Sequence, residues 1–354
     1  MALNPDHYAI VIGIDAYPFL LRLRASAKDA AKFQAWLLAD DGGGLPAENI
    51  ATIISPPTLP PPGTSARPIQ DEIDDALIRF GVLRDERVGA RLYFYFAGHA
   101  FGPRFNDIGM LMANAGPTLL NRNIGLQHYR EYFHDQSPFD EVVYILDCCR
   151  DRDGQPSTRP PSMVKKPPNG QVKQVQDFVV LAAAYGEKAW QANDTTAGER
   201  RGLLTAAILE GLQGAARDAQ GRITASKLSE YVRTRVPELA KKENREKNLQ
   251  QEPEADPPNK EIVFGPVTAV NQVNVRIIAP PHLNGELVVL SGTGLTEVAR
   301  RSAADATKDK PPWEINLARN SLYLVQHTGS TGETTLDTRK VKEQPYVIRF
   351  PRPR

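Results

Sequence analysis

Residues 92–102, LYFYFAGHAFG, and residues 141–151, EVVYILDCCRD, decide how this chain folds. Each opens on β-branched and aromatic residues, Leu92–Phe96 and Val142–Leu146, then breaks into small or polar ones. Such runs read as strands buried on both faces of a mostly parallel sheet, each delivering a polar residue at its C-terminal end. In open α/β sheets that edge is where ligands bind. The residues delivered are His99 and the only two cysteines, Cys148 and Cys149. An imidazole and a thiol meeting there can act as base and nucleophile. Each alone has a plainer explanation, a structural hydrogen bonder or a small core residue. Both on strand ends, 149 − 99 = 50 residues apart, favour a site. A disulfide between neighbouring cysteines is disfavoured where thiols are kept reduced.

Outward from these strands the pattern is α/β. Tyr8–Ile14 reads as a central strand, Ser26–Leu38 as a helix that Ser26 can cap, Ile50–Ile54 as a strand and Ile69–Phe80 as a helix. A helix is expected near Leu126–Phe133, a strand at Phe178–Ala183, and helices over Leu203–Leu212 and Ala225–Val236. Residues 151–176, with five prolines and few apolar residues, read as an exposed linker, and residues 241–264 as a second, polar one. The pattern then changes class. Alternating strands at Val273–Ile278, Glu286–Leu290, Trp313–Leu317, Ser321–Gln326 and Tyr346–Phe350 predict a β-sandwich-like module over 265–354.

The bulk numbers set limits. A chain of 354 residues with 41% apolar residues has room for two domains. A net charge of +1 without long like-charged blocks argues against a nucleic-acid or anionic-membrane partner. Two cysteines make no secreted disulfide framework, and the start of the chain shows no signal-peptide pattern, so the cytoplasm is the expected location.

The ordered set of residues 8–33, YFAGHAFG, YILDCCRD, DFVVLAAAYGEKAWQ and RGLLTAAILEGLQG resembles the caspase-like peptidases, in particular their bacterial and metacaspase-type branch. The resemblance implies a caspase-like, mostly parallel sheet flanked by helices over residues 1–240. It divides that stretch into a large-subunit-like segment, residues 1–150, and a small-subunit-like segment, residues 177–240. It puts the catalytic pair at His99 and Cys149, the third residue of Asp-x-Cys. The oxyanion donors become the N–H groups of Cys149 and of Ala100, where the family usually has glycine. Asp147 and Asp29 fall where metacaspase-like members line a pocket selecting arginine or lysine. Carboxylates suit a guanidinium through charge-assisted, often bidentate bonds.

The same resemblance makes the linker after Cys149 an activation segment. Arg152, Arg159, Lys165, Lys166 and Lys173 are its candidate cleavage points, for the enzyme itself or for an upstream protease. Many metacaspases require calcium. Here Asp107, Asp151 and Asp153 do not make an acidic cluster, so no metal and no cofactor is expected. The expected partners are protein substrates. Two other classes compete: a caspase-like scaffold without catalysis, and an unrelated nucleotide-binding or hydrolase domain. The second lacks a phosphate-loop lysine beside Gly42–Gly44 and a Gly-x-Ser-x-Gly elbow.

Overall fold

A computed structural model of the chain describes residues 3–350, except 59–65, 85, 152–156, 166–173, 195–198, 219, 244–249, 266–271, 282, 292–296, 308–312, 319–321, 329–332 and 339–344. It divides into two compact units, residues 1–212 with 224–266, and residues 213–223 with 267–354.

The first unit is built on β1 (His7–Gly13), α1 (Ser26–Leu38), β2 (Ile50–Ile54), α2 (Gln70–Phe80) and β3 (Gly89–Ala97). A small excursion follows, β4 (Ala100–Arg104), β5 (Asp107–Leu111) and β6 (Asn123–Gly125), then α3 (Leu126–Gln136) and β7 (Phe139–Asp147). The second half adds β8 (Gln176–Leu181), the hairpin β9 (Gln191–Asp194) and β10 (Glu199–Gly202), α4 (Leu203–Glu210), β11 (Ile223–Thr224), α5 (Ala225–Glu243), β12 (Glu254–Asp256) and β13 (Val263–Phe264). The main sheet runs β12-β8-β7-β3-β1-β2. Its strands are parallel except β12, which pairs antiparallel with β8.

Both faces are covered, which is why β3 and β7 read as unbroken apolar runs. On one face Phe33 of α1 stacks on Tyr95 of β3 at 4.7 Å between ring centroids. On the other, Tyr129 of α3 meets Phe94 at 5.9 Å. Fully buried aromatic and aliphatic side chains of this kind contribute roughly 1.5–3 kcal/mol each. Helix α1 starts at Ser26, but its first N–H groups are held from outside: Asp15 Oδ1 accepts from Ser26 N–H at 2.9 Å and Oδ2 from Ala27 N–H at 3.2 Å. The carboxylate at the end of β1 therefore does the capping expected of Ser26, and it fixes the loop between β1 and α1.

Neither expected linker is a plain loop. Within 241–264, β12 extends the sheet, and the buried Gln251 donates to Ala182 O at 2.9 Å. Within 151–176, residues 157–165 are tied down. Ser162 donates through N–H and Oγ to the buried Asp74 at 2.9 and 2.6 Å, and Met163 is buried. Gly125 N–H donates to Arg159 O at 2.9 Å. The exposure that the proline-rich composition predicts holds for most of these side chains, Arg159 and Val164 among them; what composition does not signal is the set of hydrogen bonds and the buried Met163 that pin the backbone.

The second unit carries β14 (Gln272–Ile278), β15 (Glu286–Ser291), β16 (Glu297–Ser302), β17 (Trp313–Ala318), β18 (Leu322–His327), β19 (Glu333–Asp337) and β20 (Tyr346–Arg349). They form a three-stranded sheet, β17-β14-β20, and a four-stranded one, β16-β15-β18-β19, sharing one core. Alternation reveals β14 and β15, whereas β16 (EVARRS) and β19 (ETTLD) are too polar to stand out.

Candidate active site

The 50-residue spacing is a strand register. In the β3–β7 pair each residue faces the one fifty positions later, Leu92 with Val142 and Ala97 with Asp147. The same offset returns beyond the strands, where Phe101 bridges in parallel to Asp151. His99 and Cys149 lie midway between these two matched pairs, so the backbone register sets the two residues level with each other at the C-terminal edge of the sheet.

His99 is held by the loop after β1. Its Nε2 lies 2.7 Å from the carbonyl oxygen of Leu21. A carbonyl only accepts, so Nε2 carries the proton and Nδ1 of the neutral ring keeps the lone pair of a base. Burial pushes the imidazole pKa down, with the Leu21 carbonyl and Asp151 pulling partly back. Burial thus disfavours the charged, doubly protonated ring.

Cys149 is half-buried, and its Sγ is engaged by one residue of the opposite loop. Ala189 N–H donates to it at 3.3 Å, and the thiol faces Ala189 O at 3.6 Å. Burial raises its pKa, opposed by the Ala189 N–H. Among the described hydrogen bonds none joins Cys149 to His99. The next residue, Arg150, is 1% exposed and anchors the turn. Its guanidinium donates to Phe105 O and, at 2.5 Å, to Glu254 Oε2 on β12. Gln251 meanwhile accepts from Trp190 N–H at 2.8 Å. The segment entering β12 therefore braces both sides of the cysteine.

Asp29 and Asp147 come together, 2% and 9% exposed, at the start of α4. Gly202 N–H donates to Asp29 Oδ2 at 2.7 Å. Thr205 donates to Asp147 Oδ2 through N–H at 2.9 Å and through Oγ1 at 2.6 Å, and Thr205 Oγ1 is 2.7 Å from Tyr95 Oη. Gly202 is required here, since a Cβ would lie 2.1 Å from Asp147 Oδ2. The helix N-terminus favours negative charge, yet among the described residues neither carboxylate forms an ion pair. Burial, then the neighbouring Asp147, lifts the Asp29 pKa to about 8, and burial raises that of Asp147.

This has a consequence for stability. Between the unfolded carboxylate pKa, near 4, and about 8, the folded state holds a proton on Asp29 that the unfolded state has lost, so stability falls as pH rises through that window. Asp29→Asn is expected to raise the thermal midpoint at pH 8 by several degrees and to leave it nearly unchanged at pH 4. Equal shifts at both pH values, read by thermal unfolding, would contradict this.

Of the other residues singled out by sequence, Ala100 opens β4. His99 and Leu111 face each other with Leu111 N–H donating to His99 O at 2.9 Å, so the next N–H, that of Ala100, points away from β5. On that same edge Gly102 N–H reaches Asp151 O at 2.9 Å. Ser137 is the one non-glycine residue with positive φ among those described, so Ala100 needs no glycine. Arg159 is exposed as a side chain but pinned through its backbone, since its N–H donates to Asn123 at 3.1 Å and its carbonyl accepts from Gly125. Lys165 pairs with Asp135 at 2.6 Å. Arg152, Lys166 and Lys173 lie outside the described residues. Sequence reasoning missed Leu21, Thr205 and Gly202. Leu21 acts through its carbonyl, which no side chain signals, and the other two matter only because α4 starts against both carboxylates.

Residues 6–259 match the family model of the caspase domain, peptidase family C14. The chain is 31% identical over 221 residues to a probable protease of a Desulfuromonadales bacterium, covering 59% of this chain but 26% of that protein. The chain thus spans about a quarter of the length of that relative. Among solved structures it is similar to caspase-1 from Spodoptera frugiperda, with a TM-score of 0.45, 14% identity and coverage of 74% of this chain and 92% of that one. It is also similar to pro-Sf-caspase-1, with a TM-score of 0.41, 11% identity and coverage of 72% and 87%. With the family model covering most of its length, the chain belongs to the caspase family of peptidases. No described helix is long and apolar enough to cross a membrane.

Proposed function

We propose that the chain is a cysteine endopeptidase that cuts after arginine or lysine. The observation that supports this best is the pair Asp29 and Asp147: two buried carboxylates, two strand positions from Cys149 in one case, that accept from N–H and O–H groups while no described cation pairs with them. A buried carboxylate without a counter-ion is costly, and a guanidinium or ammonium from the substrate supplies the missing charge. His99 Nδ1 takes the proton from Cys149 Sγ, and the thiolate adds to the scissile carbonyl carbon. The N–H groups of Ala100 and Cys149 hold the oxyanion. The imidazolium then gives its proton to the leaving amine. Water, deprotonated by the same nitrogen, cleaves the thioester and restores the thiol.

Because an empty pocket holds a proton on Asp29 up to about pH 8, a basic side chain must expel it. KM for an arginyl peptide is therefore expected to fall as pH rises towards 8 and to level off above, with no such trend for a substrate lacking the basic residue. A flat KM for the arginyl peptide would remove the pocket from this role. Both cysteines are free thiols, in keeping with a reducing compartment such as the cytoplasm.

Activation by cleavage after Cys149 belongs to the same reading. The pinned backbone of Arg159 and its following Pro160, and the Pro167 that follows Lys166, make cuts expected after Arg152 or Lys173. Changing all five basic residues to Gln should yield an uncut protein of low activity, with mass spectrometry of the wild type locating the cuts. An uncut variant as active as cleaved wild type ends the precursor idea.

A further inference from the structure

We propose that Tyr17 is a positioning residue for the catalytic histidine, its hydroxyl replacing one rung of a β-ladder so that His99 keeps a single ring tautomer. The inference rests on the reading of His99 as the base. In an antiparallel pair every second pair of opposed residues exchanges two N–H···O bonds, and His99 with Leu111 is such a pair. His99 and Leu111 are opposed one step before the Ala100–Met110 pair, and Leu111 N–H donates to His99 O at 2.9 Å. The return bond is replaced. His99 N–H donates to Tyr17 Oη at 2.9 Å, and Tyr17 Oη donates onward to Leu111 O at 3.3 Å. The phenol uses its proton and a lone pair to fill the gap between the two backbones.

Three further observations point the same way. Gly98 makes the room, because a Cβ there would lie 2.6 Å from Tyr17 Oη. The Tyr17 and His99 rings meet edge to face, 4.8 Å between centroids. The loop that carries Tyr17 also carries Leu21, whose carbonyl takes the Nε2 proton. That loop is itself fixed, since the N–H groups of Asp15 and Ala16 donate to Ser55 Oγ at 2.9 and 3.2 Å. One segment thus grips the histidine twice, by its backbone N–H and by its ring. Without the hydroxyl the backbone grip is lost, and the ring loses the register that aims Nε2 at Leu21.

The test is Tyr17→Phe, which keeps the ring and removes only the hydroxyl, with Gly98→Ala as a second variant that displaces the same hydroxyl from the other side. Peptide kinetics should show kcat lowered about 10–100-fold with KM within about twofold of wild type. Long-range 1H–15N correlation of histidine-labelled protein, with His99 assigned through His99→Gln, should show the Nε2–H tautomer alone in wild type and a mixture in both variants. A single tautomer with wild-type kcat in the folded variants overturns the proposal. So does a lower kcat with the tautomer unchanged, which a purely structural tyrosine would give. If wild type hydrolyses no peptide, the peptidase reading fails, and the tautomer measurement still decides the role of Tyr17.

Discussion

Cys149→Ala is expected to leave peptide hydrolysis reduced about 10⁴-fold or more, the usual scale for loss of a catalytic nucleophile. Cys148→Ser should keep a measurable fraction of wild-type activity. The two thiols are neighbours in sequence but differ in surroundings. Cys148 belongs to the buried core, 3% exposed, and burial pushes its pKa far up. Cys149 is half-buried and reaches the loop of Ala189, and the Phe101–Asp151 bridge sets it level with His99. A serine at 148 puts a hydroxyl into apolar surroundings at a cost of about 1–3 kcal/mol in stability, so the comparison is made on folded protein. An active Cys149→Ala protein beside a dead but folded Cys148→Ser protein reverses the assignment.

Asp147→Asn should cost about 10²–10³-fold in kcat/KM on arginyl peptides, about 3–4 kcal/mol and within the scale of a charge pair broken in a buried site. Asparagine is the informative replacement. Its carbonyl can still accept from the Thr205 N–H and Oγ1, so the start of α4 stays put while the charge goes. Alanine would strand both donors and confuse lost charge with lost packing. The loss should fall mainly on substrates with Arg or Lys before the cut. A positional peptide library in which aspartate is preferred there would contradict the basic pocket.

The fold was legible where hydrophobic runs were long. β1, β3 and β7, covered on both faces, stand out, and so does α1 with Phe33 and Leu37 on its buried side. The elements that escaped are short and held by backbone or polar bonds. β4, β5 and β6 are three to five residues each, and β12 is three residues of mixed polarity that matter because they close the sheet edge. His99 and Cys149 were visible because an imidazole and a thiol stand out at the ends of apolar strands, whereas Asp29 and Asp147 were visible only through the family resemblance, an aspartate in a helix's first turn being ordinary. What steadies them was not. The Leu21 carbonyl, the hydroxyl of Tyr17 and the bracing of Arg150 by Glu254 depend on residues 78 to 104 positions away in the chain, and no local pattern carries that information.

The central claim is that Cys149 is the nucleophile of a site selective for basic residues. It is tested most directly by incubating the protein with a peptidyl-arginine carrying a thiol-reactive group and locating the label by mass spectrometry. The expected result is one label per chain, on Cys149, lost in His99→Ala and reduced in Asp147→Asn, with the matching aspartyl probe unreactive. Labelling of Cys148, or equal labelling of Cys149 by the arginyl and aspartyl probes, would contradict the claim.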